Sequence, residues 1–232
     1  MNVGIDVIEF ATSKYFFSLK SLAERRNVEY SKYYLGIGQV LMSVFPPNED
    51  IVTLAVAAAE KTLAKIEDKD SIDMLIFATE SSFDISKAAG TYVHRFLGLK
   101  NQCRVFDIKQ ACYSGTAALQ LAKNYVIANP KSKVLVVSSD ILQYSSDTSG
   151  EPTQGGAAVA FIVSQNPRLL NIEPISSIYS EEIMDFWRPI DKKEAIFDGK
   201  LSAYQYLRSL DIVFHDYLRQ TGLSKADIDY FC

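Results

Sequence analysis

Three runs constrain this chain more than any other feature: Ile72–Thr79, Val134–Ser138 and Ala157–Val163 are apolar almost without interruption. A strand with one face in water alternates apolar and polar residues. Unbroken runs of this length therefore predict strands covered on both faces. A shorter run at Val105, Phe106 and Ile108 reads the same way, and Val3–Phe10 as a first strand. Helical patterns lie between the strands. The alanine-rich stretch Ile51–Ile66 is expected as a largely buried helix, with Asn48 as its N-cap and Glu49 and Asp50 in its first turn. Asp84–Leu97 reads as a helix stopped by Gly98, and Cys112 to about Ala128 as one ended by Asn129-Pro130. Strands alternating with helices predict an α/β fold, a mostly parallel sheet between helical layers.

The remaining segments are lighter in signal. Leu19–Arg26 and Ser31–Leu35 are expected as short helices, after which Gly36-Ile-Gly38 and Pro46-Pro47 close the opening section. Ser145–Thr153 is a polar loop, and Gly155-Gly156 leads into the third apolar run. Leu169–Ile178 is expected as a further strand and Met184–Pro189 as an aromatic loop. Ser202–Gln220 is a long helix, Ser224–Asp227 a capped turn and Ile228–Cys232 a terminal apolar strand.

Composition excludes several classes. The net charge of −4 comes with scattered lysines and arginines, so no basic stripe marks a nucleic-acid surface. No apolar run approaches the roughly 20 residues of a membrane span, and the first residues lack a signal peptide's pattern. Cys103, Cys112 and Cys232 have no metal-like spacing; free thiols in a reducing cytoplasm are expected. No GxGxxG follows a strand and no GxxxxGK[ST] occurs, so neither a dinucleotide site nor a P-loop is indicated.

Chemistry points to one junction. Cys112 falls where the Val105 strand turns into a helix, amid Ala111, Ser114 and Gly115. Unpaired N–H groups and the positive end of a helix dipole favour a thiolate there. By residue type alone it is a small buried hydrophobe, the reading kept for Cys103 and Cys232. Glu80 follows the Leu75–Thr79 strand, and ligands of open α/β sheets bind beyond the carboxyl ends of strands. If the two strands are close, thiol and carboxylate face one crevice, where one carries an acyl group and the other takes a proton from its α-carbon. Taken alone, Glu80 is a solvated turn residue. His94 and His215 lie within helical patterns with no ligand spacing and are expected to be structural.

Several blocks in order resemble the bacterial 3-hydroxy-3-methylglutaryl-CoA synthases of the thiolase superfamily. They are Gly4-Ile-Asp6, Gly36-Ile-Gly-Gln39, Ala78-Thr-Glu-Ser81, Ala111-Cys-Tyr113, Gly150-Glu-Pro-Thr-Gln-Gly155, Asp185-Phe-Trp-Arg-Pro189 and Asp198-Gly199. The resemblance implies a thiolase-like α-β-α fold. It implies that Cys112 accepts acetyl from acetyl-CoA and that Glu80 is the acid/base for condensation with acetoacetyl-CoA, in the mevalonate pathway. Thr153 and Tyr144 match positions lining the acyl site, and Gly155 lets backbone approach it. No metal or prosthetic group is implied, and the family is typically homodimeric.

The same resemblance implies a first half at 1–165 and the opening of a second at 166–232. The family's Phe-His-x-Pro stretch is expected directly after the segment matching Tyr230-Phe-Cys232, which leaves the second half incomplete here. A longer protein or a second chain completing it are the two expectations. Three alternatives stay open: an initiating ketoacyl synthase, a polyketide β-branching synthase acting on acyl carrier protein, and an inactive remnant that only assembles with partners.

Overall fold

The computed structural model describes residues 2–231. They form two compact units that divide between Ile172 and Glu173. The first opens with β1 (Val3–Thr12), β2 (Tyr15–Ser18), α1 (Leu19–Arg26), α2 (Ser31–Tyr34), β3 (Leu41–Val44) and α3 (Ile51–Leu63). It continues through β4 (Ile72–Ala78), α4 (Gly90–Leu97), β5 (Arg104–Ile108), α5 (Ser114–Ala128), β6 (Lys133–Leu142), β7 (Gly155–Gln165) and β8 (Leu170–Asn171).

Six of these strands make one sheet in the order β5-β4-β6-β7-β1-β8. The pairs β4–β5 and β4–β6 are parallel; β6–β7, β7–β1 and β1–β8 are antiparallel. The sheet is therefore mixed, with its parallel strands gathered at the β5 end. Side chains leave a strand on alternating faces, so the unbroken apolar runs supply two cores. Leu75, Phe77, Leu135, Val137, Ala160 and Ile162 pack with α3 and α4 on one face. Met74, Ile76, Ala78, Val134, Val136 and Val163 pack with Ala118, Ala122 and Val126 of α5 on the other. In α3, Ala55, Ala58 and Ala59 are wholly buried, as an alanine face seated closely on a sheet requires.

The motif Gly4-Ile-Asp6 turns out to be architectural. A Cβ on Gly4 would lie 1.9 Å from the Leu170 carbonyl oxygen, so only glycine admits β8 beside β1. Asp6 Oδ1 and Oδ2 each accept from the Arg168 guanidinium at 2.8 Å, which fixes the start of the β7–β8 connection and holds the Asp6 carboxyl below its ordinary range.

Several boundaries differ from expectation. Asp50, not Asn48, caps α3; its Oδ1 accepts from Val52 and Thr53 N–H while Thr53 Oγ1 accepts from Asp50 N–H. The α4 helix begins at Gly90 rather than Asp84. Asp84 Oδ1 takes the N–H groups of Ser86 and Lys87 into a turn, and Asp107 caps the helix through Ala89 and Gly90 N–H. Of Leu169–Ile178 only Leu170–Asn171 pairs as a strand. The antiparallel pairing of β2 with β3, across the intervening α1 and α2, was not expected; with α1 it builds a small core of Leu19, Leu22 and Met42.

The second unit contains β9 (Phe186–Trp187) paired with β10 (Ile196–Phe197), then α6 (Gly199–Thr221) capped by the Asp198 carboxylate. The aromatic stretch around Trp187 is thus partly strand. Ile228–Phe231 has no regular strand, and Cys232 lies outside the described residues. No helix among the described residues is long and apolar enough to cross a membrane.

Candidate active site

Parallel pairing of β4 with β5 puts Ala78 level with Ile108, and the Thr79 N–H still donates to the Ile108 carbonyl at 3.2 Å. Glu80 and Cys112 follow these strand ends, so carboxylate and thiol stand on the same edge of the sheet. On the other side of β4, Ala78 is level with Ser138 of β6, and Leu142 of β6 is level with Gly155 of β7. The loop joining β6 to β7 leaves and re-enters the sheet at that same edge, carrying Tyr144 at its start and Thr153 at its end. All five residues singled out from the sequence therefore border one edge, in the strand order β5, β4, β6, β7.

Local geometry exposes the thiol. Ala111 has φ +44°, a left-handed conformation that costs a non-glycine residue on the order of 1 kcal/mol. It reverses the chain straight out of β5, and Ala111–Tyr113 form a single 3-10 turn ahead of α5. Buried Ser114 holds this turn: its Oγ accepts from Gln110 N–H at 2.8 Å and donates to the Ala111 carbonyl at 2.7 Å. Cys112 is exposed at the positive end of the 15-residue α5. Cys103 is 8% exposed, and burial pushes its thiol up to about 11. Iodoacetamide at pH 7.5 should therefore alkylate Cys112 in the folded protein and leave Cys103 unmodified until denaturant is added. Peptide mapping that finds both labelled at similar rates in the native state would contradict this assignment.

Sequence reasoning missed the residue that organises the Glu80 turn. Asp140 Oδ1 accepts from Thr79 Oγ1 (2.8 Å), Glu80 N–H (2.8 Å), Ser81 N–H (3.0 Å) and Ser81 Oγ (2.6 Å). Ser81 Oγ in turn accepts from Ile141 N–H at 3.2 Å, closing a link between the β4 and β6 ends. The available signal was an aspartate ending an apolar strand; its partner, 60 positions away, appears only once β4 and β6 are neighbours. Because several donors lose a charged acceptor together, Asp140→Ala should lower the unfolding free energy by about 1.5–3 kcal/mol. Asp140→Asn keeps an acceptor oxygen and should lose less than half as much. A urea midpoint unchanged in Asp140→Ala would show that the network carries no such weight.

The β6–β7 loop is similarly fixed. Gly155, at φ +142° with Ser43 Oγ 2.7 Å from where a Cβ would sit, admits only glycine. Ser43 Oγ accepts from Gly156 N–H at 2.8 Å, Thr153 Oγ1 donates to the Gly150 carbonyl at 2.8 Å, and Tyr144 N–H reaches Gln154 Oε1 at 3.5 Å. Thr153 and Gly155 line a shallow groove of about 450 Å³ with Thr12, Gln39 and Met42. The histidines stand apart from this edge or bond locally. His94 Nε2 lies 3.0 Å from the Lys100 carbonyl, ahead of β5 at the opposite edge of the sheet. His215 Nδ1 lies 2.8 Å from the Asp211 carbonyl within α6.

Sheet order, the two helical layers and the thiol at a strand-to-helix turn define a thiolase-like α/β protein. Residues 1–167 match the family described as hydroxymethylglutaryl-coenzyme A synthase N terminal, and the chain belongs to that family. It is 47% identical over 229 residues to hydroxymethylglutaryl-CoA synthase of Enterococcus faecalis, covering 99% of this chain and 60% of the relative. It is 35% identical over 238 residues to the polyketide biosynthesis 3-hydroxy-3-methylglutaryl-ACP synthase PksG of Bacillus subtilis, covering 95% and 56%. A crystal structure of an HMG-CoA synthase complexed with CoA superposes with a TM-score of 0.96 at 41% identity, covering 100% of this chain and 60% of that one. The chain thus spans about 60% of the length of these relatives.

Proposed function

We propose that this chain carries the acyl-transfer centre of a hydroxymethylglutaryl-CoA synthase. The Cys112 thiolate attacks the carbonyl of acetyl-CoA, a thioester forms on Sγ, and CoA leaves as a thiolate that takes up a proton. Glu80 removes a proton from the methyl carbon of the acetyl group, and backbone N–H groups at the start of α5 stabilise the enolate oxygen. The enolate carbon attacks the ketone of acetoacetyl-CoA, the new alkoxide takes the proton back from Glu80, and water releases the product from Cys112. Tyr144, Thr153 and Gly155 line the acyl site. Thioester activation supplies the chemistry without a metal or prosthetic group. In this reading residues 1–165 are the first half of a thiolase-like subunit and 166–232 the opening of the second, the enzyme is a cytoplasmic homodimer, and it serves the mevalonate pathway.

The observation that carries the reading is the departure of Glu80 and Cys112 from adjacent parallel strands at one sheet edge. Its test is incubation with acetyl-CoA followed by peptide mapping, with the acetyl group expected on Cys112. A second reading is supported by the likeness to the polyketide ACP synthase: an acetyl-carrier protein as donor. Donor competition separates them. Faster acetylation from the carrier than from CoA favours the second reading.

A further inference from the structure

The loop that carries Tyr144 and Thr153 contains a buried acid for which the proposed chemistry has no use. Glu151 is 7% exposed, between Gly150 and Pro152. Its two oxygens accept from Arg26 at the end of α1: Nε to Oε2 at 2.9 Å and NH2 to Oε1 at 2.7 Å. Oε2 also accepts the Asp147 N–H at 3.1 Å, and the Asp147 carboxylate lies 3.0 Å from Arg26 Nε. Asp147 has φ +62°, so the loop is wound back on itself around the Glu151 carboxylate.

We infer that the Arg26–Glu151 pair is a latch that holds residues 143–154 in place, making Arg26 and Glu151 positioning residues for the acyl site. This rests on the proposed function for the roles of Tyr144 and Thr153, but the latch itself rests on geometry. A bidentate guanidinium–carboxylate pair fixes distance and orientation together, which a single contact cannot do. The two residues are 125 positions apart, and they tie the α1 module to a loop in which Thr148 and Thr153 bond only to near neighbours. Thr148 Oγ1 donates to Ser145, and Thr153 N–H and Oγ1 both donate to Gly150. The sheet pairing of Leu142 with Gly155 holds the two ends of this loop, and the anchor at Glu151 holds the span between them. The Arg26 guanidinium holds the Glu151 carboxyl below its ordinary range, so the pair stays ionised at neutral pH. Removing Arg26 leaves a buried carboxylate uncompensated, which favours an open loop.

Hydrogen–deuterium exchange on the full chain, combined with acetylation kinetics, tests the inference. In Arg26→Ala, exchange across 143–154 should rise about tenfold or more while α3 and α5 stay as protected as in wild type. Arg26→Lys keeps the charge without the fork and should fall between the two. The acetyl-CoA concentration for half-maximal acetylation of Cys112 should rise several-fold in Arg26→Ala, more than the maximal rate falls. Unchanged exchange in 143–154 overturns the latch. Raised exchange with unaltered acetylation kinetics overturns the positioning role. Should wild type take no acetyl group, the acyl-site reading falls and the exchange comparison still decides the latch. Glu151→Gln serves as the check if Arg26→Ala does not fold; it should loosen the same segment.

Discussion

Cys112→Ala is expected to abolish acetyl adduct formation from acetyl-CoA while leaving the fold intact. The loss should be complete on the peptide that carries residue 112, and Cys103 should not take its place. Cys103 lies within the core under α4, and at about 11 its thiol is ionised in roughly one molecule in several thousand at pH 7.5. The fold should be spared because Cys112 is exposed on a 3-10 turn that Ser114 Oγ braces through its bonds to Gln110 N–H and the Ala111 carbonyl. Stability should therefore change by no more than about 0.5 kcal/mol, as for surface substitutions generally. Intact mass and peptide mapping decide it. An adduct of equal yield on the alanine variant would remove Cys112 from the chemistry, and a wild type that takes no acetyl group would remove the acyl-transfer reading altogether.

What made Cys112 legible is local. A run that is apolar on both faces, small residues, then a helical pattern specify a strand-to-helix turn without any long-range information. The central strands were legible for a related reason, since β4, β6 and β7 feed two cores and show no polar period. Elements that depend on partners distant in sequence were not. The β2–β3 pair is four residues on each side and joined across two helices, with Tyr15 and Phe16 both exposed, so no alternation announces it. The stretch from Asp84 has helical composition, yet Asp84 spends its side chain on a turn, and the cap of α4 comes from Asp107 in the next strand. Asp140 and Glu151 were invisible as organisers because their partners lie 60 and 125 positions away. Sequence periodicity reports which faces are buried; it does not report which side chains meet at a sheet edge. The pairing of β4 with β5, on which the candidate site rests, was a conditional expectation until the strand order was known.

That pairing also defines what Glu80 should do, and Glu80→Gln separates its role from that of Cys112. Acyl transfer to a thiolate needs no carboxylate, so Glu80→Gln should still form acetyl-Cys112. Removal of a proton from the acetyl methyl does need a base, and glutamine has the shape of glutamate without its basicity. In D2O the methyl of wild-type acetyl-Cys112 should gain deuterium, whereas Glu80→Gln should exchange slower by about 10²–10⁴-fold, the range a positioned general base contributes. Mass analysis of the acetylated peptide reads this directly and does not require the second substrate. The backbone bond from Glu80 N–H to Asp140 survives the substitution, so the turn that carries residue 80 keeps its anchor. Exchange as fast in Glu80→Gln as in wild type would assign the proton transfer to another group. Loss of acetylation together with exchange would instead make Glu80 part of the acyl-transfer step. Only slow exchange on a fully acetylated variant fits a thiol that holds the acyl group beside a carboxylate that works on it.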